Sequence, residues 1–233
     1  MKTTYGQYCP VAKASELIAE RWTPLIVREL VLGSHRFSDL ERGVPRIPRA
    51  LLVRRLRELE RAGIVERRQE GASRHASYFL TPVGQELEPI IMQLGVWGQR
   101  WFNAHIEPEE FDPALLIWDM HRRIHRDRLP PRRVVVRFNF TGASHECYWM
   151  MLEPADVTVC WVDPGVETDL LITADSATLH HVWMGRQTYA AALAGGKIEV
   201  DGPRPLVRDF PSWLALSMFA QVAPAQATAP AGA

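Results

Sequence analysis

The sequence predicts an α+β fold in two unlike halves. Three observations carry that prediction. Over residues 10–62 apolar side chains recur with helical spacing, and over 64–80 the period shifts to the alternation of two short strands joined by a turn. From about residue 115 the order inverts, with strands early and helices late. The charge divides at the same place. Residues 1–105 hold 16 Lys+Arg against 11 Asp+Glu, and residues 106–233 hold 11 against 16. The formal net charge of +0 therefore hides a basic half and an acidic half, which points to two domains with different partners.

The first half reads in order. Residues 10–20 form a short helix with Val11, Ala14, Leu17 and Ile18 on one face. Thr23 caps a second helix, Pro24 takes its first helical position and Gly33 ends it. His35 to Leu40 opens a third helix that stops near Gly43. After a loop with Pro45 and Pro48, residues 46–62 form a basic amphipathic helix ended by Gly63. Its apolar stripe is Leu52, Leu56 and Leu59, while Arg46, Arg49, Ala50, Val53, Arg54 and Arg57 fall on the side or back of that stripe. A helix with one greasy face and one arginine face suits the major groove, and a guanidinium fork suits phosphate and guanine alike. Such a face is also found simply solvated, so the order of neighbouring elements decides. Residues 64–69 and 76–80 form a hairpin whose tip carries Arg74 and His75. A hairpin directly after helix-turn-helix is a wing, placed to touch flanking DNA.

Thr81-Pro82 starts a further helix in which Val83, Leu87, Ile90, Leu94, Trp97 and Trp101 step by three and four. Pro89 should kink it. Leu87, Ile90, Leu94, Trp97 and Trp101 make a seam for a second copy, because a symmetric dimer matches paired operator half-sites.

These residues resemble the HxlR family of winged helix-turn-helix transcriptional regulators. The matching pieces are Cys9-Pro10, Arg21-Trp22-Thr23, Arg36 to Leu40, Leu52 to Leu59, Gly63 to Arg67 and Tyr78 to Gly84, with a tryptophan near the end of the last helix. Two departures stand out: Glu20 replaces a common glycine, and Val53 stands where a small hydroxyl residue is frequent. The resemblance covers residues 5–103. It implies a dimeric DNA-binding regulator, often a repressor, whose partners are double-stranded operator DNA and itself. It also implies that Cys9 is a sensor of oxidants or electrophiles. A helix N-terminus and the nearby Lys13 would favour its thiolate. The alternative is a small apolar plug at a helix start.

Residues 105–113, with Pro108 and Pro113, read as a linker between a 1–104 DNA-binding domain and a 114–222 effector domain. A helix over 115–129 precedes strands at 133–140, 146–152, 157–162 and 169–174. Helices capped by Asp175 or Ser176 and by Thr188, a short strand over 197–202 and a closing helix over 204–219 follow. The tail over 223–233, rich in Ala and Pro, is expected to be disordered. The strand Asp169–Thr173, Trp183-Met184-Gly185-Arg186 and Ala192 to Gly202 resemble sterol-carrier-protein-like domains. That resemblance implies an antiparallel sheet covered by helices and an apolar small-molecule ligand. Trp149, Met151, Trp161, Trp183, Met184 and Phe219 are its possible pocket walls, and each equally suits an ordinary core.

Several classes find no support. His121 and His125, and the adjacent His180 and His181, lack the acidic partner and ligand count of a metal site, so no metal and no cofactor is expected. No nucleophile elbow or phosphate loop occurs, which argues against an enzyme. No apolar run is long enough to span a membrane, and the N-terminus lacks a leader's apolar core. Three widely spaced cysteines, Cys9, Cys147 and Cys160, suit a reducing cytoplasm. The rival reading is a lipid-directed enzyme or carrier in which the winged helix joins proteins.

Overall fold

The computed structural model describes residues 4–69, 76–102, 106–107, 110–142 and 146–225. The chain divides into two compact units, Met1–Gly95 and Val96–Ala233.

The first unit runs α1 (Pro10–Ile18), α2 (Thr23–Val31), α3 (Phe37–Gly43), α4 (Arg49–Arg61), β1 (Val65–Gln69), β2 (Ala76–Leu80) and α5 (Pro82–Gln85). Helix α6 (Glu88–Trp101) begins in it and runs through the division. Strands β1 and β2 pair antiparallel from Val65 opposite Leu80 to Gln69 opposite Ala76. The core gathers Ile26, Val27 and Leu30 from α2, Leu40 from α3, Leu52, Leu56 and Leu59 from α4, and Ile91 from α6. The apolar stripe expected of the basic helix is thus its buried side.

Four local expectations change. Trp22, not Thr23, is the N-cap of α2. It adopts φ +79 and is the only described non-glycine residue with positive φ, while Thr23 becomes the first helical residue. The left-handed region is costly for a bulky side chain. Here the Arg21 guanidinium lies 4.9 Å from the centre of the Trp22 ring, and the ring packs against the core. The basic helix starts at Arg49, because Pro48 takes the N-cap position. Pro89 does not kink one long helix. The chain forms two helices, α5 and α6, with Pro89 in the first turn of the second, where its missing N–H would have no partner anyway. Helix α1 buries no side chain completely, and Val11 on its expected inner face is 72% exposed.

The second unit contains α7 (Pro113–His121), a 3-10 turn over Arg126–Arg128, β3 (Val134–Thr141), β4 (Glu146–Leu152), β5 (Val157–Cys160), β6 (Leu170–Asp175), α8 (Ser176–Trp183), α9 (Tyr189–Ala194), β7 (Ile198–Asp201) and α10 (Arg204–Trp213). The sheet order is β5-β4-β3-β6-β7. This sheet is not the purely antiparallel one expected. Its central pair, β3 and β6, is parallel, with Val136 opposite Leu170 and Thr141 opposite Asp175. Two reversals bring β5 into the direction of β3, and the connection over 161–169 then returns the chain to the start of β3. Asp169 fixes that return: its carboxylate accepts the Val135 N–H at 2.8 Å, its own N–H donates to the Val135 carbonyl at 2.9 Å, and it pairs with Arg132.

Helix caps in this unit agree with expectation. Asp175 accepts the Thr178 N–H at 2.7 Å and Thr188 accepts that of Ala191 at 3.1 Å. Two helices are shorter than expected. Helix α7 stops at His121 and α10 at Trp213, because the segments beyond them pair with each other. Ile124 bridges Leu214, the His125 N–H donates to the Trp213 carbonyl, and the Ala215 N–H donates to that of Arg123. Tertiary hydrogen bonds replace the last helical turns.

One face of the sheet carries Val136, Phe138, Phe140, Met150, Leu152, Val159 and Ile172, packed with side chains from α7, α8, α9 and α10. The opposite face carries Val135, Arg137, Asn139, Cys147, Trp149 and Met151, since side chains alternate along a strand.

Candidate nucleic-acid interface

Helix α4 sorts its arginines by what its neighbours demand. Leu52, Arg55, Leu56 and Leu59 point inward. Arg49, Ala50, Arg54 and Arg57 are exposed and Val53 is half-buried on the outer side of α4, and Arg46 is exposed in the loop before it. The cations on that side are held differently. Arg49 donates to both carboxylate oxygens of Glu41, at 2.8 and 2.9 Å, and its guanidinium lies 4.6 Å from the Phe37 ring centre. That anchors the first turn of α4 to α3. Arg54 stands 3.9 Å from Glu58, a loose exposed pair of small energetic consequence. Arg54 and Arg57 thus keep most of their donors for an outside partner.

A buried ion pair supports α3, the helix in front of α4. Glu29 is fully buried, and its carboxylate accepts from Arg28 Nη2 at 2.9 Å and from Ser34 Oγ at 2.9 Å. Arg28 Nη2 also donates to the Gly43 carbonyl at 2.8 Å. A Cβ at Gly43 would lie 1.8 Å from Glu29 Oε2, so only glycine lets α3 close over this pair. A partnered buried charge of this kind fixes one geometry, and loss of one partner is costly.

On the wing, Arg67 and Arg68 are exposed on β1, and Arg68 lies 4.5 Å from the Phe79 ring centre while pairing with Glu66. Arg74 and His75, the wing-tip contacts that the sequence predicts, lie outside the described residues. Arg67 and Arg68 are not among the predicted contacts. Their signal was a basic pair on a strand next to a basic helix. Arg55 too is absent from those contacts, although its spacing of three from Leu52 and four from Leu59 puts it beside the inward stripe.

The seam residues separate. Leu87 packs against the core. Ile90, Leu94, Trp97 and Trp101 are 51%, 49%, 53% and 49% exposed and recur at helical spacing on the outer side of α6. Cys9 is the N-cap of α1 and half-buried, with no side-chain cap bond. The cation expected to serve it is engaged elsewhere, because Lys13 Nζ pairs with Glu16 at 3.2 Å.

The six expected pocket residues of the second unit do not form one wall. Trp161, Trp183, Met184 and Phe219 belong to the core between sheet and helices. Trp149 and Met151 stand on the other face of the sheet, because they are an even number of residues from Cys147 and opposite in phase to Met150. Trp149 is there buried beneath Arg137, whose guanidinium lies 5.3 Å from its ring centre and donates to Asn139 Oδ1 at 2.8 Å. Within the helical cover, His180 Nδ1 and Tyr189 Oη are buried without a partner in the protein. Burial first, then the charges of His181 and Arg186, push His180 down to about 4. Burial holds the Tyr189 phenol well above its ordinary range. Among the described residues no three His, Cys, Asp or Glu side chains converge as a metal would require, and no helix is long and apolar enough to cross a membrane.

Comparison with known proteins places the match on the N-terminal part of the chain, through α6. The HxlR-like helix-turn-helix family matches residues 17–106. The HTH-type transcriptional regulator YvaP of Bacillus subtilis is 37% identical over 101 residues, covering 42% of this chain and 93% of the relative. The HTH-type transcriptional regulator Rv3095 of Mycobacterium tuberculosis is 41% identical over 118 residues, covering 46% of this chain and 73% of the relative. Among solved structures, the reduced form of the redox regulator HypR is 34% identical, covering 39% of this chain and 91% of that one, with a TM-score of 0.37.

Proposed function

From the premise that this chain belongs to the HxlR-like helix-turn-helix family, and so is a DNA-binding transcriptional regulator, we propose that it represses as a homodimer, with α4 in the major groove of an operator. The observation that carries this reading is the division of α4. Its leucines lie in the core, while Arg49, Ala50, Val53, Arg54 and Arg57 share the outer side and Arg46 is exposed in the loop just ahead. Arg54 and Arg57 are the phosphate or base contacts, Arg49 is the anchored one, and the wing strand adds Arg67 to the tip residues Arg74 and His75. Phosphate contacts release counterions, so affinity falls steeply with salt.

The dimer draws its support from α6. Four large side chains about half exposed on one helix side, at coiled-coil spacing, are a surface that association would cover. Cys9 keeps a thiol-sensing role in this proposal only through its place at the start of α1.

The second unit is the effector module, of sterol-carrier-like type. Its support is a layer of four helices over one sheet face, with two buried polar atoms, His180 Nδ1 and Tyr189 Oη, left for a ligand's polar group. Trp161, Trp183, Met184 and Phe219 line that layer. The ligand class is an apolar small molecule.

The test is binding of the full chain to its own promoter region across a salt series. Protection of a palindromic site with a steep salt dependence is the expected result. Absence of binding at low salt, with and without reductant, overturns this use of α4 and leaves the winged helix as a protein-joining module.

A further inference from the structure

Beyond its positive charge, the outer side of α4 carries a chemistry that selects among bases. Ala50 lies in the first turn of the helix. Val53 and Arg54 follow it at i+3 and i+4 and are its neighbours on the helix surface, and Arg57 stands at the same spacings from both of them. The four make one patch of two small apolar side chains and two guanidiniums. Ala50, Arg54 and Arg57 are exposed and Val53 is half-buried. Arg49 marks the edge of the patch, with its guanidinium held by both carboxylate oxygens of Glu41 and stacked on Phe37. Residues 49–57, RALLVRRLR, contain no Asn, Gln, Asp or Glu. Of the two glutamates that follow, Glu58 accepts from Arg55 Nη1 at 2.7 Å, and Glu60 stands in the last turn, away from the helix start.

These residue types narrow what the patch can read. In the major groove an amide side chain suits adenine, a carboxylate accepts from the cytosine amino group, a guanidinium suits guanine, and an apolar side chain meets the thymine C5 methyl. The patch offers only the last two kinds. Ala50 and Val53 carry no polar side-chain atom, so an amino group or oxygen of a base pressed against them loses its water and gains no partner, at a cost larger than a hydrogen bond contributes. The thymine methyl is the one apolar group that the four bases present in that groove. We propose that Ala50 and Val53 are specificity-determining residues that read thymine C5 methyl groups in each operator half-site. The inference rests on the placement of α4 in the major groove and adds which base faces the patch. Ala50 is small enough to let the start of the helix approach the base edges, where the first residues of such a helix make their contacts. Val53 reaches the next position, and Arg54 and Arg57 flank the two with donors for guanine or phosphate.

The experiment takes the promoter fragment that the full chain protects and replaces its thymines one at a time by deoxyuridine, which removes only the C5 methyl. Affinity is measured by competition against the unmodified fragment. The expected result is a fall of about fourfold at the thymines that face the patch in each half-site, the effect of uncovering one methyl-sized group, with the other thymines neutral. Val53→Ala should weaken binding to the thymine fragment and lose the deoxyuridine effect at one of those positions, because both changes remove the same contact. Arg54→Ala should weaken binding and keep the deoxyuridine effect. Binding that falls steeply with salt but is indifferent to every deoxyuridine overturns the methyl reading and leaves α4 in the groove through its arginines. A deoxyuridine effect that persists unchanged in Val53→Ala and in Ala50→Gly overturns it too, since another residue then meets the methyl. Absence of promoter binding at low salt removes the groove placement itself, and this inference with it.

Discussion

The two units bury apolar cores of different size. Among the described residues the first unit's core gathers 12 buried apolar side chains and the second's 25. Both leave large apolar side chains in solvent, the first at Val11, Ile90 and Leu94 and the second at Trp97, Trp101 and Val162. An uncovered apolar helix side gains from a partner, since burial stabilises roughly in proportion to apolar area. The larger core thus lies in the second unit, while the exposed α6 stripe runs from Ile90 and Leu94 in the first unit to Trp97 and Trp101 in the second.

The largest effect that could break this contrast is a cavity in the second core. Phe138 on the central strand β3 is almost fully buried, and its ring centre lies 6.4 Å from that of Phe210 of α10. Phe138→Ala should cost about 3–5 kcal/mol, seen in chemical denaturation as loss of the more stable transition. Operator binding should survive wherever the first unit remains folded. If both are lost together, the units are not separate carriers of stability.

Acid should separate the units next. His180 is held near 4 in the folded chain against its ordinary 6.5. The folded state therefore binds fewer protons than the unfolded state between those values. Stability from this group is complete above 6.5 and is lost as pH falls from 6.5 to about 4. The loss is about 3 kcal/mol. His180→Phe should flatten the pH dependence of the second unit's unfolding. A profile unchanged by that substitution would remove His180 from the account.

On the first unit, Leu94→Glu places a charge in the exposed α6 stripe. It should weaken the dimer by about 2 kcal/mol, roughly thirtyfold, in sedimentation equilibrium, with little change in the unit's own melting. Unchanged association would transfer the dimer surface elsewhere. The smallest effects are on α4. Arg54→Ala and Arg57→Ala should each cost about 1 kcal/mol of operator affinity and lower the salt slope by about one. Arg49→Ala should add a loss of helix-start rigidity through Glu41 and Phe37. Affinity unchanged in the Arg54, Arg57 double variant would sink the placement of α4 in the groove.

Much of the candidate interface was legible because periodicity alone separates the sides of a helix. Leu52, Leu56 and Leu59 recur at a spacing that leaves Arg54 and Arg57 outside, and the burial of α4 follows that pattern. The ion pair of Arg55 was not legible. It depends on Glu20, which is distant in sequence and follows α1, and on the space between three helices. Trp149 and Trp161 were grouped as one wall because both are large and apolar. Strand phase separates them, with Trp149 under Arg137 on one face and Trp161 in the core on the other.

By itself the sequence determined the element order, the hairpin after the basic helix, the caps at Asp175 and Thr188, and the division of charge between halves. These are local consequences of spacing, turn chemistry and short-range hydrogen bonding, which need no knowledge of distant partners. The tertiary structure decided where α7 and α10 stop, the parallel pairing of β3 with β6, and the fate of the one arginine that faces inward on α4. Each depends on backbone groups or carboxylates dozens of residues away. A helix end yields to a bridge such as Ile124–Leu214, and a crossover is fixed by Asp169 at Val135, only once packing has brought those segments together.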